Sequence, residues 1–441
     1  MTTAHHSKAI YAAVIAILLS TNSITNFSIA QETQPPAEAD TPATVAEDNE
    51  AGEQVSASEN APHFGGPASV DGQLRRDAEA KPTILRSYFE FKKNLETVYG
   101  LRFGVDYNAL YQYANNSPGE DDAAGGVLRL FGNWTLLNRG SDNTGTLVYK
   151  VENRHRIATD ITPQELGFEV GYAGLTATVF SDKDWILTNL YWNQQLWNNR
   201  LGFVAGVVDT TDYVDVYSLI SPWTDFNNLA FSVNPTIPAP DQGLGIALSA
   251  MLTEQIYLLG GMADANGDPA DPGNSFDSFF NTGEYFSHLE LGWIASFDRR
   301  YTDNIHLTAW HADARTDAQV PSGWGLAFSY NRLYEEKWEP FVRLGYAEDG
   351  GALWERSVGV GLGYRPGRKG DQLGMGLNWG RPSAQTFGDG LRDQYTAELY
   401  YRYQLMKNLA ITPDLQLLVN PAQNENEDMI AVFGIRARLN F

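Results

Sequence analysis

From Leu101 to Phe441, apolar and polar residues alternate with a period of two. Leu101, Phe103, Val105, Tyr107, Ala109, Tyr111 and Tyr113 share one parity; Arg102, Gly104, Asp106, Asn108 and Gln112 share the other. The pattern returns at Leu147, Tyr149 and Val151 against Lys150, Glu152 and Arg154, and at Leu289, Leu291 and Trp293 against His288, Glu290 and Gly292. It returns again at Leu373, Met375, Leu377 and Trp379 against glycines and Asn378, and at Tyr395, Ala397, Leu399, Tyr401 and Tyr403 against Thr396, Glu398, Arg402 and Gln404. The last run sets Phe433, Ile435, Ala437, Leu439 and Phe441 against Gly434, Arg436, Arg438 and Asn440. Successive strand residues point to opposite faces, so each run predicts a strand with one apolar and one polar side.

Two all-β architectures give this pattern. A soluble sandwich buries its apolar faces. A membrane barrel turns them to lipid and lines a watery lumen with the polar faces. Many runs reach the roughly 9 to 11 residues that a tilted spanning strand needs, which is long for a sandwich. Tyr and Trp recur near the ends of runs, where an aromatic girdle lies. The fold class expected is therefore an all-β transmembrane antiparallel barrel over 101–441. At roughly 20 residues per strand and connection, the region holds about 16 strands, the size of an aqueous pore. Trp197 to Arg200 and Met406 to Asn408 read as short turns. Ser218 to Gln242 and Asp264 to Gly283 read as external or inward-folded loops.

The first hundred residues differ. His5, His6 and Lys8 precede an apolar run from Ile10 to Leu19, and Ser28-Ile29-Ala30 fits a small-x-small cleavage site. This predicts an export signal over 1–30, because the apolar run is too short for a membrane span. Residues 31–70 read as an acidic, disordered periplasmic tail. Gln31 to Asn60 carries Glu32, Glu38, Asp40, Glu47, Asp48, Glu50, Glu53 and Glu59 with no Lys or Arg, and cannot bury enough apolar surface to order itself. Residues 71–100 read as a short helical lead-in. Gln73 to Ala80 is broken by Lys81-Pro82, and Tyr88, Phe91 and Leu95 follow at helical spacing beside Lys92 and Lys93.

Composition sharpens this picture. Of 441 residues none is cysteine, which removes disulfides, thiolate metal sites and cysteine nucleophiles. A formal charge of −23 argues against nucleic acid as a partner. His288, Glu290 and His306 share the polar parity but sit on separate strands without metal-ligand spacing, so they read as lumen lining. Asp264, Asn266 and Asp268 alternate oxygen ligands, yet no bidentate Glu follows to complete a calcium loop. No cofactor or metal is expected, and no Ser-His-Asp arrangement stands out.

Several blocks resemble the OprB family of carbohydrate-selective porins. They are Tyr400 to Leu405, Leu409 to Gln416 with its Ile411-Thr412-Pro413-Asp414, Val419 to Ala422, and the ending Val432 to Phe441. Asn143 to Tyr149 with Glu152 to His155 fits the family's early strands, and Phe226 to Phe231 with Pro235, Pro238 and Pro240 fits its long inward loop. The chain departs from the family at Val70 to Arg76, which lacks a Trp-Gly-Gly type opening. It departs again after Gly206, where a lysine is expected and Val207 stands. The resemblance implies a non-enzymatic outer-membrane pore for passive diffusion of mono- or small oligosaccharides. The partners implied are the permeating sugars, outer-membrane lipid and the barrel-assembly machinery, reading Phe441. The pore works either as a single barrel or as a homotrimer.

Strand parity nominates Arg129, Lys150, Glu152, Arg154, Arg343, Glu398, Arg402, Arg436 and Arg438 as lumen residues, with Phe131, Trp310 and Tyr400 as aromatic contacts. Asp209, Asp212 and Asp225 begin or lie near the loop expected to fold inward. Such side chains exchange hydrogen bonds with sugar hydroxyls, or pair to keep the lumen wet. Facing rows of opposite charge would set a transverse field that orients polar neutral solutes. Three other readings stand beside this one. The missing lysine favours a general or ion-selective porin of the same fold. An outer-membrane barrel enzyme would need a narrow lumen and a reactive Ser or His. A structural tether would use the acidic tail to hold the cell wall.

Overall fold

The computed structural model describes residues 86–441 apart from 368, 369 and 407. The export signal, the acidic segment and the Gln73 to Ala80 stretch lie outside the described residues. The description opens on a helix, α1 (Arg86–Tyr99), which meets the first strand through Gly100 at φ +72°. That left-handed backbone is one that glycine adopts without a Cβ clash.

Sixteen antiparallel strands then close into one barrel, each paired with its chain neighbours and the first with the last. The closing seam joins β1 (Leu101–Ala114) to β16 (Met429–Asn440), with Tyr107 opposite Leu439 and Ala109 opposite Ala437. On its other edge β1 pairs with β2 (Asp122–Leu137), where Tyr107 stands opposite Leu128. Closure leaves no sheet edge, so the ladder N–H and C=O groups are satisfied within the wall.

Burial follows the alternation, inverted from a soluble protein. Along β1, Asp106, Asn108 and Gln112 are buried inside while Tyr113 is exposed outside. Along β8 (Tyr285–Ile294), His288 and Glu290 are buried while Leu289 and Leu291 are 54% and 52% exposed. Apolar side chains outside and charges inside are what a lipid solvent selects. Exposed aromatics form two rims: Trp134, Trp197, Tyr334 and Trp338 at one end, and Tyr113, Trp185, Trp324 and Tyr395 at the other. The first rim borders the short links. One of these joins β4 (Asp184–Leu196) to β5 (Leu201–Val208), with Trp197, Asn198 and Asn199 at φ 52°, 57° and 61°.

The opposite end carries the longer loops, and two of these fold into the barrel. Residues 209–242, between β5 and β6 (Gly243–Met251), bury Tyr217, Leu219, Phe226 and Phe231. These pack on wall residues Phe341 of β11 (Trp338–Asp349), Trp354 of β12 (Trp354–Tyr364) and Tyr400 of β14 (Gln394–Met406). Residues 157–183, between β3 (Gly145–Arg156) and β4, add Leu166, Val170 and Tyr172 to the same cluster. Their helix α2 (Pro163–Glu169) starts on a capping box: the Glu165 carboxylate accepts from the Thr162 N–H and hydroxyl, both at 2.7 Å. In the segment between β7 (Ile256–Asp264) and β8, Phe276 and Phe280 are 55% and 72% exposed, while Ala265 is buried. Among the described residues, the largest hydrophobic cluster thus sits inside the barrel, between its loops and its wall.

Leu289→Arg places a cation on the lipid face near mid-strand. It should cost about 2–4 kcal/mol in urea unfolding from vesicles; a loss below about 1 kcal/mol would contradict the lipid-facing assignment of β8.

Candidate functional site

The loop 209–242 begins where β5 ends. Asp209 caps a single 3₁₀ turn, Thr210–Asp212, by accepting from the Thr211 N–H at 3.1 Å, and Gln242 at the loop's far end donates to its other oxygen at 2.8 Å. The chain then runs under the wall and is seated by buried charge. The Asp215 carboxylate takes the Arg343 guanidinium, the Ser329 hydroxyl (2.6 Å) and His306 Nε2 (2.8 Å). Its backbone N–H donates to Glu290 at 2.9 Å. Burial would push the Asp215 carboxyl up, but Arg343 and His306 outweigh it and hold the group well below the usual carboxylate range. Arg343 also donates to the carbonyls of Phe231 (3.1 Å) and Val233 (2.9 Å) and lies 4.6 Å above the Tyr217 ring.

A second seat holds the loop's middle. Glu398 accepts the N–H groups of Asn227 (2.6 Å) and Asn228 (3.0 Å). Arg436 donates to the carbonyls of Pro222 (2.7 Å) and Asp225 (2.8 Å) and to Asn227 Oδ1 (2.6 Å). Tyr400 and Gln372 each donate to Asp225 at 2.9 Å, with Arg402 3.8 Å away. A third cluster sits on the wall beside them. Asp106 takes Arg129 (3.1 Å) and Arg438 (2.9 Å), and the Arg129 guanidinium stacks 4.1 Å above Trp223 of the loop.

Between loop and wall a cavity of about 560 Å³ remains. One side is charged: Lys150, Glu152 and Arg154 step along β3, with Asp209 and Asp212 across from them. Glu152 holds Arg154 at 2.6 Å, and Lys150 reaches Asp212 at 3.3 Å. The other side is apolar, made by Trp223, Leu229, Ile237 and the prolines 222, 235, 238 and 240. Lys183, Asp241 and Arg315 border the outer opening, with Lys183 and Asp241 paired at 2.7 Å. Four cationic and four anionic side chains line the cavity, so its formal charge cancels although the whole chain carries −23.

The residues nominated from the sequence therefore divide. Lys150, Glu152, Arg154 and Asp209 line the cavity; Arg343, Glu398, Arg402, Arg436 and Tyr400 face inward but lie beneath the loop and hold it. Arg129 and Arg438 stand behind the cavity wall around Asp106. Phe131 is half-buried under Arg129 and fills the notch at Gly104, where a Cβ would come within 2.5 Å of its ring. Trp310 is buried, stacked on Phe286 at 6.3 Å. His306 serves the Asp215 seat, and His288 is packed between Tyr213 (5.5 Å) and Phe286 (6.1 Å). Among the described residues, no group of three or more His, Cys, Asp or Glu is placed to hold a metal ion. Parity missed Trp223, because it lies on a loop, and the inward turn of 157–183. The Thr162-Pro163-Gln164-Glu165 capping box was the available signal for that helix.

A sequence profile described as "Carbohydrate-selective porin, OprB family" matches residues 162–441. This chain belongs to the OprB family. The high-pH structure of Pseudomonas putida OprB superposes with a TM-score of 0.64 at 15% identity, covering 80% of this chain and 97% of that one. That likeness supports the porin fold. An uncharacterized protein of a Nostoc strain is 30% identical over 96 residues, which span 22% of this chain and only 16% of that relative. The family and the barrel make this OprB-family chain a protein of the outer membrane.

Two outcomes follow from the site. Arg343→Met leaves Asp215 buried without its cation, which should cost about 3–5 kcal/mol and raise single-channel conductance as the loop loosens; unchanged conductance would refute the seat. Burial pushes the Asp212 carboxyl up to about 6. Acidification through that value removes one negative charge from the cavity, that of the carboxylate paired with Lys150. Reversal potentials should move toward anion selectivity between pH 7.5 and pH 5, and Asp212→Asn should abolish that change. A wild-type pore whose selectivity ignores this pH step would contradict the assignment.

Proposed function

We propose that this OprB-family porin passes small carbohydrates by passive diffusion, and that the cavity between β3 and loop 209–242 is its selective constriction. The observation that carries this reading is the pairing of a charged row along β3 with a Trp- and Pro-lined wall, in a cavity whose formal charge cancels as a whole. Sugars present hydroxyls around an apolar ring face, which matches that two-sided lining. Paired charges exchange hydrogen bonds with hydroxyls without trapping the solute. Cancelling charge gives neither cations nor anions a net electrostatic advantage. In the same reading, the buried Arg343, Glu398, Arg402, Arg436 and Tyr400 are positioning residues, and the chain has no enzymatic role. The segment preceding the barrel lies on the periplasmic side, and assembly runs through Phe441. Its mass in detergent distinguishes a single barrel from a homotrimer.

Liposomes carrying the protein should swell faster in glucose than in neutral non-sugar solutes of equal size. Trp223→Ala should narrow that difference. Equal rates for all solutes would favour the general-porin reading instead.

A further inference from the structure

The helix α1 presents an apolar arc wider than the surface it packs on. By helical angle, Tyr88, Phe91, Leu95, Val98 and Tyr99 fall within about 120°. Only part of this arc meets the barrel. The Tyr88 ring stands edge-on to Phe103 at 6.2 Å, and Lys92 lies 5.1 Å over the same ring. Lys92 also donates to the backbone oxygen of Phe441 at 3.1 Å, and Glu96 pairs with Arg102. At the helix end, Trp134 donates to the Tyr99 carbonyl at 3.1 Å and Arg139 to that of Val98 at 2.8 Å. Phe91, Val98 and Tyr99 remain 53%, 51% and 57% exposed.

Phe103 and Trp134 have outward parity and belong to the aromatic rim at the short-link end, which faces the periplasm in barrels of this kind. The helix therefore leans on the lipid-facing side of the wall, at headgroup height. Its uncovered apolar stripe continues the barrel's lipid belt, while Glu90, Lys93 and Thr97 occupy the opposite face. A short amphipathic helix with this division lies in a membrane interface.

We infer that α1 is an interfacial anchor seated in the periplasmic leaflet, with Phe91, Val98 and Tyr99 in the boundary between phospholipid headgroups and acyl chains. The occupant of the exposed stripe is phospholipid. Lys92 sits beside it, at the level of the phosphates.

The absence of native cysteine permits single nitroxide labels on the full chain. Val98→Cys, Thr97→Cys and the lipid-belt reference Leu248→Cys would be reconstituted in vesicles of phosphatidylethanolamine and phosphatidylglycerol. Power saturation would compare access by oxygen with access by a polar nickel chelate. The oxygen-to-nickel ratio at Val98→Cys should be several-fold above that at Thr97→Cys and close to that at Leu248→Cys. Equal ratios at positions 97 and 98 would place the stripe in water and overturn the inference. Shielding of position 98 from both reagents would overturn it in favour of a protein cover, either the acidic segment or a second copy.

Discussion

The bilayer offers no water to hydrogen-bond a free strand edge, and most of this structure follows from that constraint. A sheet in lipid must close. Here closure is made by β1 and β16, the first and last strands of the wall. Once the wall is closed, every second side chain meets lipid and every other one meets an enclosed space. Leu289 and Glu290 are chain neighbours, yet one is exposed and apolar while the other is buried and charged. The polar interior is a consequence of closure.

That interior is too wide to be filled by side chains alone, and loops occupy it. A loop carries backbone N–H and C=O groups that need partners when buried. The inward charges supply them: Glu398 for the N–H groups of Asn227 and Asn228, Arg436 and Arg343 for five carbonyls between them at Asp215, Pro222, Asp225, Phe231 and Val233. Buried charges without partners would be costly; Asp215 is paired with Arg343, and Glu398, Arg343 and Arg436 are bonded to the loop backbone. What remains open is the strip along β3 that the loop does not cover.

The wall was legible in the sequence because strand parity is a local property. Strand parity puts Asp106, Glu152 and Arg436 on the polar face, and all three are buried. Depth was not legible. Lys150 and Arg343 have the same parity, but one lines the cavity and the other lies under Tyr217, because a loop from elsewhere in the chain covers it. Trp223 has no parity to read, and its contact with Arg129 joins residues 94 positions apart in the chain, as their numbers give. The family resemblance pointed to the inward loop through Phe226 to Phe231 and the prolines after it. It did not indicate which charges would seat that loop and which would stay in reach of a solute.

The central claim is that the strip between Trp223 and the Lys150-Glu152-Arg154 row is where sugar passes most closely to protein. A crystal structure determined in maltose tests it most directly. The account predicts sugar density with a ring face toward the Trp223 and proline side and hydroxyls within hydrogen-bond distance of Lys150, Glu152, Arg154, Asp209 or Asp212. Sugar bound elsewhere in the barrel, with this strip holding only water, would contradict it.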